Sequence, residues 1–224
     1  MTKTIHITVA ENILRANDEI AAENKLLLKK SNVMALNIMA SPGAGKTSFI
    51  LKTIALLSNI YRIGVIEGDT SAATLDADKV TSLGLPAVQI NTGGNCHLDA
   101  NMVQNGLMKL PLADLNIVLV ENVGNLVCPA AFKLGTYKNV LIASIPEGDD
   151  KPYKYPAMYS AVDVLVINKI DLLPYIPFKM DYYIDGVRML NPDLISFPVS
   201  CTTDAGLPAW MDWLENTLHE YRYN

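Results

Sequence analysis

Ala40-Ser41-Pro42-Gly43-Ala44-Gly45-Lys46-Thr47 follows an apolar run, Val33–Met39, and opens a segment of helical periodicity. A phosphate-binding loop requires this strand, loop and helix setting, because it aims successive backbone N–H groups, the positive end of a helix and one lysine at the phosphates. Lys46 is that lysine by position, and the Thr47 hydroxyl is the expected Mg²⁺ ligand. Gly43, Ala44, Gly45 and Ser48 complete the expected phosphate contacts. Ala40 stands where the pattern GxxxxGK[ST] has its first glycine. Alanine does not freely adopt positive φ, so either this position has negative φ or the loop is slightly altered.

Beyond this loop, Ile63–Glu67, Ala87–Asn91, Ile117–Glu121, Asn139–Ser144, Val164–Ile167 and Leu194–Val199 are further short apolar runs separated by helical stretches. Strands alternating with helices predict an α/β fold, a mostly parallel sheet with helices on both faces. Thr4–Val9 alternates apolar and polar residues and reads as a short strand or extended arm. Glu11–Lys30 carries Ile13, Leu14, Ile20, Ala21, Leu26 and Leu27 at roughly helical spacing, which predicts an amphipathic helix covering one side of the sheet. Trp210, Trp213, Leu214 and Leu218 give a final helix its apolar face. The expected organisation is an arm and helix over 1–31 and one phosphate-loop domain over 32–224.

Half of the 224 residues are hydrophobic, enough for a sizeable core, and the formal net charge of -5 supplies no basic field. Nucleic acid is therefore not an expected partner. Three cysteines make no disulfide framework and suit a reducing compartment, so the cytoplasm is the expected location. Met1 to Ala10 lacks the features of a secretory signal, and no run approaches the roughly 20 apolar residues that span a bilayer. No membrane association is expected.

Val164–Ile167 runs into Asn168-Lys169-Ile170-Asp171, an NKxD sequence at the strand end where open α/β sheets bind ligands. A carboxylate such as Asp171 accepts both the N1–H and the 2-amino group of guanine. Adenine offers no matching donors, so GTP is expected over ATP. The stem of Lys169 can lie along the base, and Ser200-Cys201-Thr202 falls where such a site wraps the base from the other side, with Cys201 packed rather than ligating. Between these anchors Glu121-Asn122-Val123-Gly124 ends a predicted strand as an ExxG switch, in which the acid reaches Mg²⁺ and the glycine N–H contacts the γ-phosphate. Lys46, Thr47, Glu121 and Gly124 are thus the expected catalytic group. Asp69 is either a third Mg²⁺ ligand beside Thr47 and Glu121 or a solvated strand-end acid.

Cys128 follows Gly124 by four residues, so a γ-phosphate contact that moves Gly124 should also move Cys128. Cys96-His97 lies in Thr92-Gly93-Gly94-Asn95-Cys96-His97-Leu98-Asp99, a glycine-rich turn read as opening a helix, where a thiol pKa is depressed. Cysteine and imidazole suit zinc, nickel or copper. Cys96, His97 and Cys128 leave a tetrahedral site incomplete, so the remainder must come from water, another residue or another chain. Two buried cysteines and a histidine without metal are the alternative. Asp99 either orients His97 or caps the helix.

Ser41 through Thr47, Glu67-Gly68-Asp69, Asn91-Thr92-Gly93 through Cys96-His97-Leu98-Asp99-Ala100, Glu121 through Pro129, Glu147-Gly148-Asp149-Asp150-Lys151-Pro152 with Lys154-Tyr155-Pro156, and Asn168 through Asp171 together resemble the hydrogenase nickel-incorporation GTPases, the HypB family. The resemblance covers nearly the whole chain from residue 33 onward. It implies a phosphate-loop GTPase of the SIMIBI type that inserts nickel into [NiFe]-hydrogenase precursors with the help of a maturation partner. It also implies a GTP-dependent homodimer that holds Ni²⁺ or Zn²⁺ between subunits with Cys96, His97 and Cys128 of each chain, and a Lys154 that extends toward the partner's nucleotide. Asn101 stands where some members have a further histidine ligand, and the cysteine-rich nickel motif and histidine-rich tract of some relatives are absent, which favours a switch that passes nickel on over tight storage. A urease-accessory GTPase would carry a Cys-Pro-His motif where this chain has Cys128-Pro129-Ala130. A GTP-stabilised metal-storage protein without catalysis is the rival from another class. No glutamine or arginine stands in Glu121–Cys128, so slow hydrolysis is expected.

Overall fold

Strand β1 (Met34–Ala40) is buried along its whole length and lies at the centre of a seven-stranded sheet. The computed structural model describes residues 9–70 and 80–223. Around β1 the strands are β2 (Ile63–Asp69), β3 (Ala87–Asn91), β4 (Ile117–Glu121), β5 (Lys138–Ser144), β6 (Val164–Asn168) and β7 (Ile195–Pro198). Their order is β3-β2-β4-β1-β5-β6-β7, every neighbouring pair parallel, with Ile38 of β1 set against Glu121 of β4 and Val140 of β5. All seven strands match the apolar runs of the sequence to within two residues. Strands buried on both faces need unbroken apolar runs, which is why they are so visible.

Helices α1 (Val9–Ser31), α2 (Lys46–Leu57), α3 (Ala100–Leu107), α4 (Lys151–Lys154), α5 (Pro156–Ala161), α6 (Met180–Leu190) and α7 (Leu207–Tyr223) cover the sheet. Met34, Leu36, Ile38 and Ala40 point to one face, where Phe49 and Ile54 of α2 meet Trp210 and Leu214 of α7. Ala35 points to the other, with Leu28 of α1 and Val103 and Leu107 of α3. Met39 meets Tyr159 of α5 and Tyr183 and Val187 of α6 on that same side. Each such large side chain contributes about 1.5–3 kcal/mol by leaving water, so the sheet is held rigid from both sides.

Two expectations change. Thr4–Val9 lies outside the described residues except for Val9, which opens α1. The helix itself is present and Ala21 and Leu27 of the expected face pack inward, but Ile13 and Leu26 are 53% and 71% exposed, so its docking stripe is only partly the apolar one. Asn17, Ala21, Asn24 and Leu28 are the buried side chains. Asn17 donates to the Lys133 carbonyl and accepts from the Ala100 N–H, both at 2.8 Å. Asn24 donates to the carbonyls of Ala100 and Leu134 at 2.8 and 3.0 Å. The two asparagines of this mixed stripe, paired to backbone, leave no hydrophobic signature. No described helix is long and apolar enough to cross a membrane.

Candidate nucleotide and metal site

The chain leaves β1 at Ala40, still in the strand, and Ala40 is not among the residues with positive φ. The left-handed turns fall later, at Gly43 (φ 78°) and Gly45 (φ 99°), so alanine at the first position imposes no strain. Gly45 caps α2, whose first residues Lys46 and Thr47 face a cleft of about 680 Å³ at the C-terminal edge of the sheet. That size suits a nucleotide, and the helix start aims free N–H groups into it. The Thr47 hydroxyl donates to Glu121 Oε1 at 2.8 Å, so two candidate Mg²⁺ ligands already meet. Asp69 ends β2 on the same cleft. Gly124 abuts the phosphate loop so closely that a Cβ would stand 3.1 Å from the Pro42 nitrogen.

At the base end, the buried Asn168 amide donates to the Ala44 carbonyl at 3.0 Å, and Lys169 Nζ donates to the Gly43 carbonyl at 2.6 Å. The NKxD segment is thereby tied to the phosphate loop from the far side. Asp171 has a buried carboxylate oxygen, Oδ1, with no hydrogen-bond partner. Buried acceptors are rarely left unpaired, and a donor-bearing base edge is the chemistry this one lacks. Ser200 Oγ accepts the N–H groups of Thr202 and Thr203, which folds the loop after β7 back on itself. Cys201 packs against the core beside it, and burial pushes its thiol pKa up. Lys154 is exposed and ion-paired with Asp150, one turn earlier. Ser41 Oγ donates to Glu147, whose other oxygen accepts from Ser144.

Ligand atoms of Cys96, His97 and Cys128 all lie within 4.8 Å of one another. The two sulfurs are 2.8 Å apart, and Cys96 Sγ is 3.8 Å from His97 Nδ1. Leu98, fully buried, anchors this loop against β2, where only a glycine at position 68 leaves space: a Cβ there would be 2.6 Å from Leu98 Cγ. The helix that the glycine-rich turn opens begins at Ala100, with Asp99 as its cap, accepting the Met102 N–H at 2.8 Å, so Cys96 lies ahead of the helix start. The depressed thiol pKa is accordingly not found: the hydrogen bond with Cys128 pushes the Cys96 thiol up. Burial holds the His97 imidazole below its ordinary value against the pull of Asp99, so the ring is neutral and open to a metal near pH 7. The Phe132 ring lies against His97, tilted by 35° with 3.9 Å between centroids. Thiols that close with a neutral imidazole form a soft donor set that would bind nickel or zinc once deprotonated.

Residues 34–195 match the family described as CobW/HypB/UreG, nucleotide-binding domain. The hydrogenase maturation factor HypB of Azotobacter vinelandii is 44% identical over 209 residues, 93% of this chain and 69% of that protein. This chain belongs to the HypB family. HypB of Escherichia coli K12 is 40% identical over 96% of this chain and 74% of its own length. The crystal structure of HypB from Helicobacter pylori in complex with nickel superposes with a TM-score of 0.87 at 34% identity, covering 93% of this chain and 98% of that one. HypB from Archaeoglobus fulgidus gives 0.85 at 35% identity, covering 91% and 99%. The signal recognition particle receptor FtsY from Elizabethkingia anophelis, 14% identical over 81% of this chain and 65% of its own with a TM-score of 0.52, shares the fold alone. The seven-stranded parallel sheet of this HypB-family chain is thus the phosphate-loop nucleotide-binding fold of its relatives. The motifs of this HypB-family sequence give Asn122, Asn125 and Phe132 no role of their own. Only their position beside chemistry-bearing neighbours could have singled them out.

Proposed function

We propose that this HypB-family protein is a slow GTPase that couples nucleotide state and dimerisation to the delivery of nickel to a [NiFe]-hydrogenase precursor. One observation carries the reading. The segment Glu121–Cys128 bonds to the phosphate-loop threonine at its first residue and to the Cys96 thiol at its last. The third phosphate and the metal ligands would therefore act on one short piece of backbone. Asp171, with its unpartnered oxygen, would read guanine, while Lys169, Asn168 and the Ser200–Thr202 loop would hold the base plane. Lys46 and the N–H groups of Gly43 to Ser48 would hold the phosphates, and the Gly124 N–H the γ-phosphate. Mg²⁺ on Thr47 and Glu121, supported by Asp69, would neutralise charge on the phosphates.

Cys96, His97 and Cys128 bring three ligand groups, so a second copy completes a closed intersubunit site, with Lys154 reaching for the partner's nucleotide. Nickel is the favoured cargo because a HypB relative is nickel-bound, although the donor set also accepts zinc. Single-turnover hydrolysis separates this reading from a storage protein. Wild type is expected to exceed Lys46→Ala clearly while remaining far below about 1–100 per second, the range of kinases; equal rates would leave only storage. Nickel titration of wild type and Cys128→Ser, each with GDP or a non-hydrolysable GTP analogue, tests the coupling. Equal affinity in both nucleotide states of the wild type would sink the switch.

A further inference from the structure

Two asparagines reach from the segment Glu121–Cys128 to the loop that bears Cys96 and His97. Asn122 is buried at the end of β4, and its Oδ1 accepts the N–H groups of Leu98 at 3.0 Å and Val123 at 2.9 Å. Its Nδ2 donates to Asn37 Oδ1 at 3.1 Å, and Asn37 in turn donates to Asn139 at 3.0 Å. This row joins β4, β1 and β5 inside the sheet, so Asn122 is a fixed point. Asn125 differs: it is half-buried, lies just beyond Gly124, and belongs to no strand or helix. Its Nδ2 donates to the Cys96 carbonyl at 3.2 Å, and its Oδ1 accepts the Val127 N–H at 2.8 Å. One side chain thus clasps Cys96 to the residue before Cys128.

Gly124 sits between the two amides, with the phosphate loop against it. A pull on Gly124 hinges on Asn122 and reaches the metal loop through the Asn125 amide. We propose that Asn125 is the positioning residue that conveys nucleotide state to the thiol pair, its bond to the Cys96 carbonyl acting as a latch that differs between GDP and GTP forms. This deepens the switch proposed above and rests on it. A single neutral hydrogen bond limits the effect it can carry to roughly tenfold in metal affinity.

Asn125→Asp separates the latch from the local turn, because aspartate still accepts the Val127 N–H but cannot donate to Cys96. Asn125→Ala removes both bonds. Nickel affinity is measured by chelator competition on the full chain loaded with GDP or a non-hydrolysable GTP analogue, beside the thiolate-to-nickel charge-transfer absorption. Asn125→Ala adds no charge, so it shows whether a changed ratio in Asn125→Asp reflects the lost bond or the added carboxylate. In wild type the ratio departs from one; in both variants it is expected to fall within about twofold of one, with coincident spectra for the two nucleotides and unchanged GDP affinity. A wild-type ratio retained by Asn125→Asp, whether or not Asn125→Ala loses it, overturns the latch and leaves the switch standing. A wild-type ratio of one removes both, while the hydrolysis comparison still stands on its own.

Discussion

At the scale of single residues, Asp171 is the sharpest case. Its buried Oδ1 has no partner, and the energy it gains from a ligand depends on meeting a donor. Asp171→Asn turns an acceptor into a donor facing the guanine N1–H and 2-amino group. GTP affinity is expected to fall roughly 100-fold or more, since hydrogen bonds to a charged group are worth about 1.5–3 kcal/mol each. Xanthine nucleotides, which carry a carbonyl at C2, should bind the variant better than GTP does; fluorescence competition with both decides it, and retained guanine preference would exclude Asp171 as the base reader. Such residues were legible because each lies in a motif at a strand end. Asn122 and Asn125 were not, for their partners are 24 and 29 residues away in sequence. Cys96 misled for a related reason: its thiol is governed by Cys128, 32 residues away in sequence, rather than by the helix that begins at Ala100.

At the scale of elements, α1 is fixed by two buried amides as well as by Ala21 and Leu28. Asn24→Ala strands the carbonyls of Ala100 and Leu134 but also removes a buried Oδ1 that has no partner, which offsets part of the cost. A loss of about 1–2 kcal/mol is expected from denaturant midpoints, against about 0.5 kcal/mol or less for Leu26→Ala at the exposed face. Helices α5 and α6 carry a second buried polar pair, the Tyr159 and Tyr183 hydroxyls at 2.8 Å. Burial raises both tyrosine pKa values above 10.0, so the unfolded chain ionises first as pH rises. The stabilisation is therefore complete below about pH 10 and is lost above it, by up to ~1.4 kcal/mol per pH unit for each tyrosine. Urea midpoints should fall steeply between about pH 10 and 11, and less steeply in Tyr159→Phe; a flat profile would contradict the burial. Sheet strands were legible from their apolar runs, whereas α1's seating and the tyrosine pair depend on contacts that periodicity does not encode.

Across the whole molecule, parallel strands deliver phosphate loop, switch, base reader and thiol loop to one edge of the sheet. A second copy is expected to meet the chain at that edge. Light scattering should give monomer mass with GDP and dimer mass with a GTP analogue plus nickel, and Lys154→Ala should weaken the dimer while leaving GDP affinity unchanged. Monomer mass under every condition would remove the intersubunit site. The seating of α1 adds a consequence in time. Its asparagine contacts reach 76 to 116 residues further along the chain. At ~5–20 residues per second of synthesis, those seats emerge roughly 4 to 23 s after the helix itself. Until Leu134 has cleared the ribosome, Asn24 cannot tie Ala100 to Leu134, and the two cysteine-bearing stretches lack the backing that α1 gives them both.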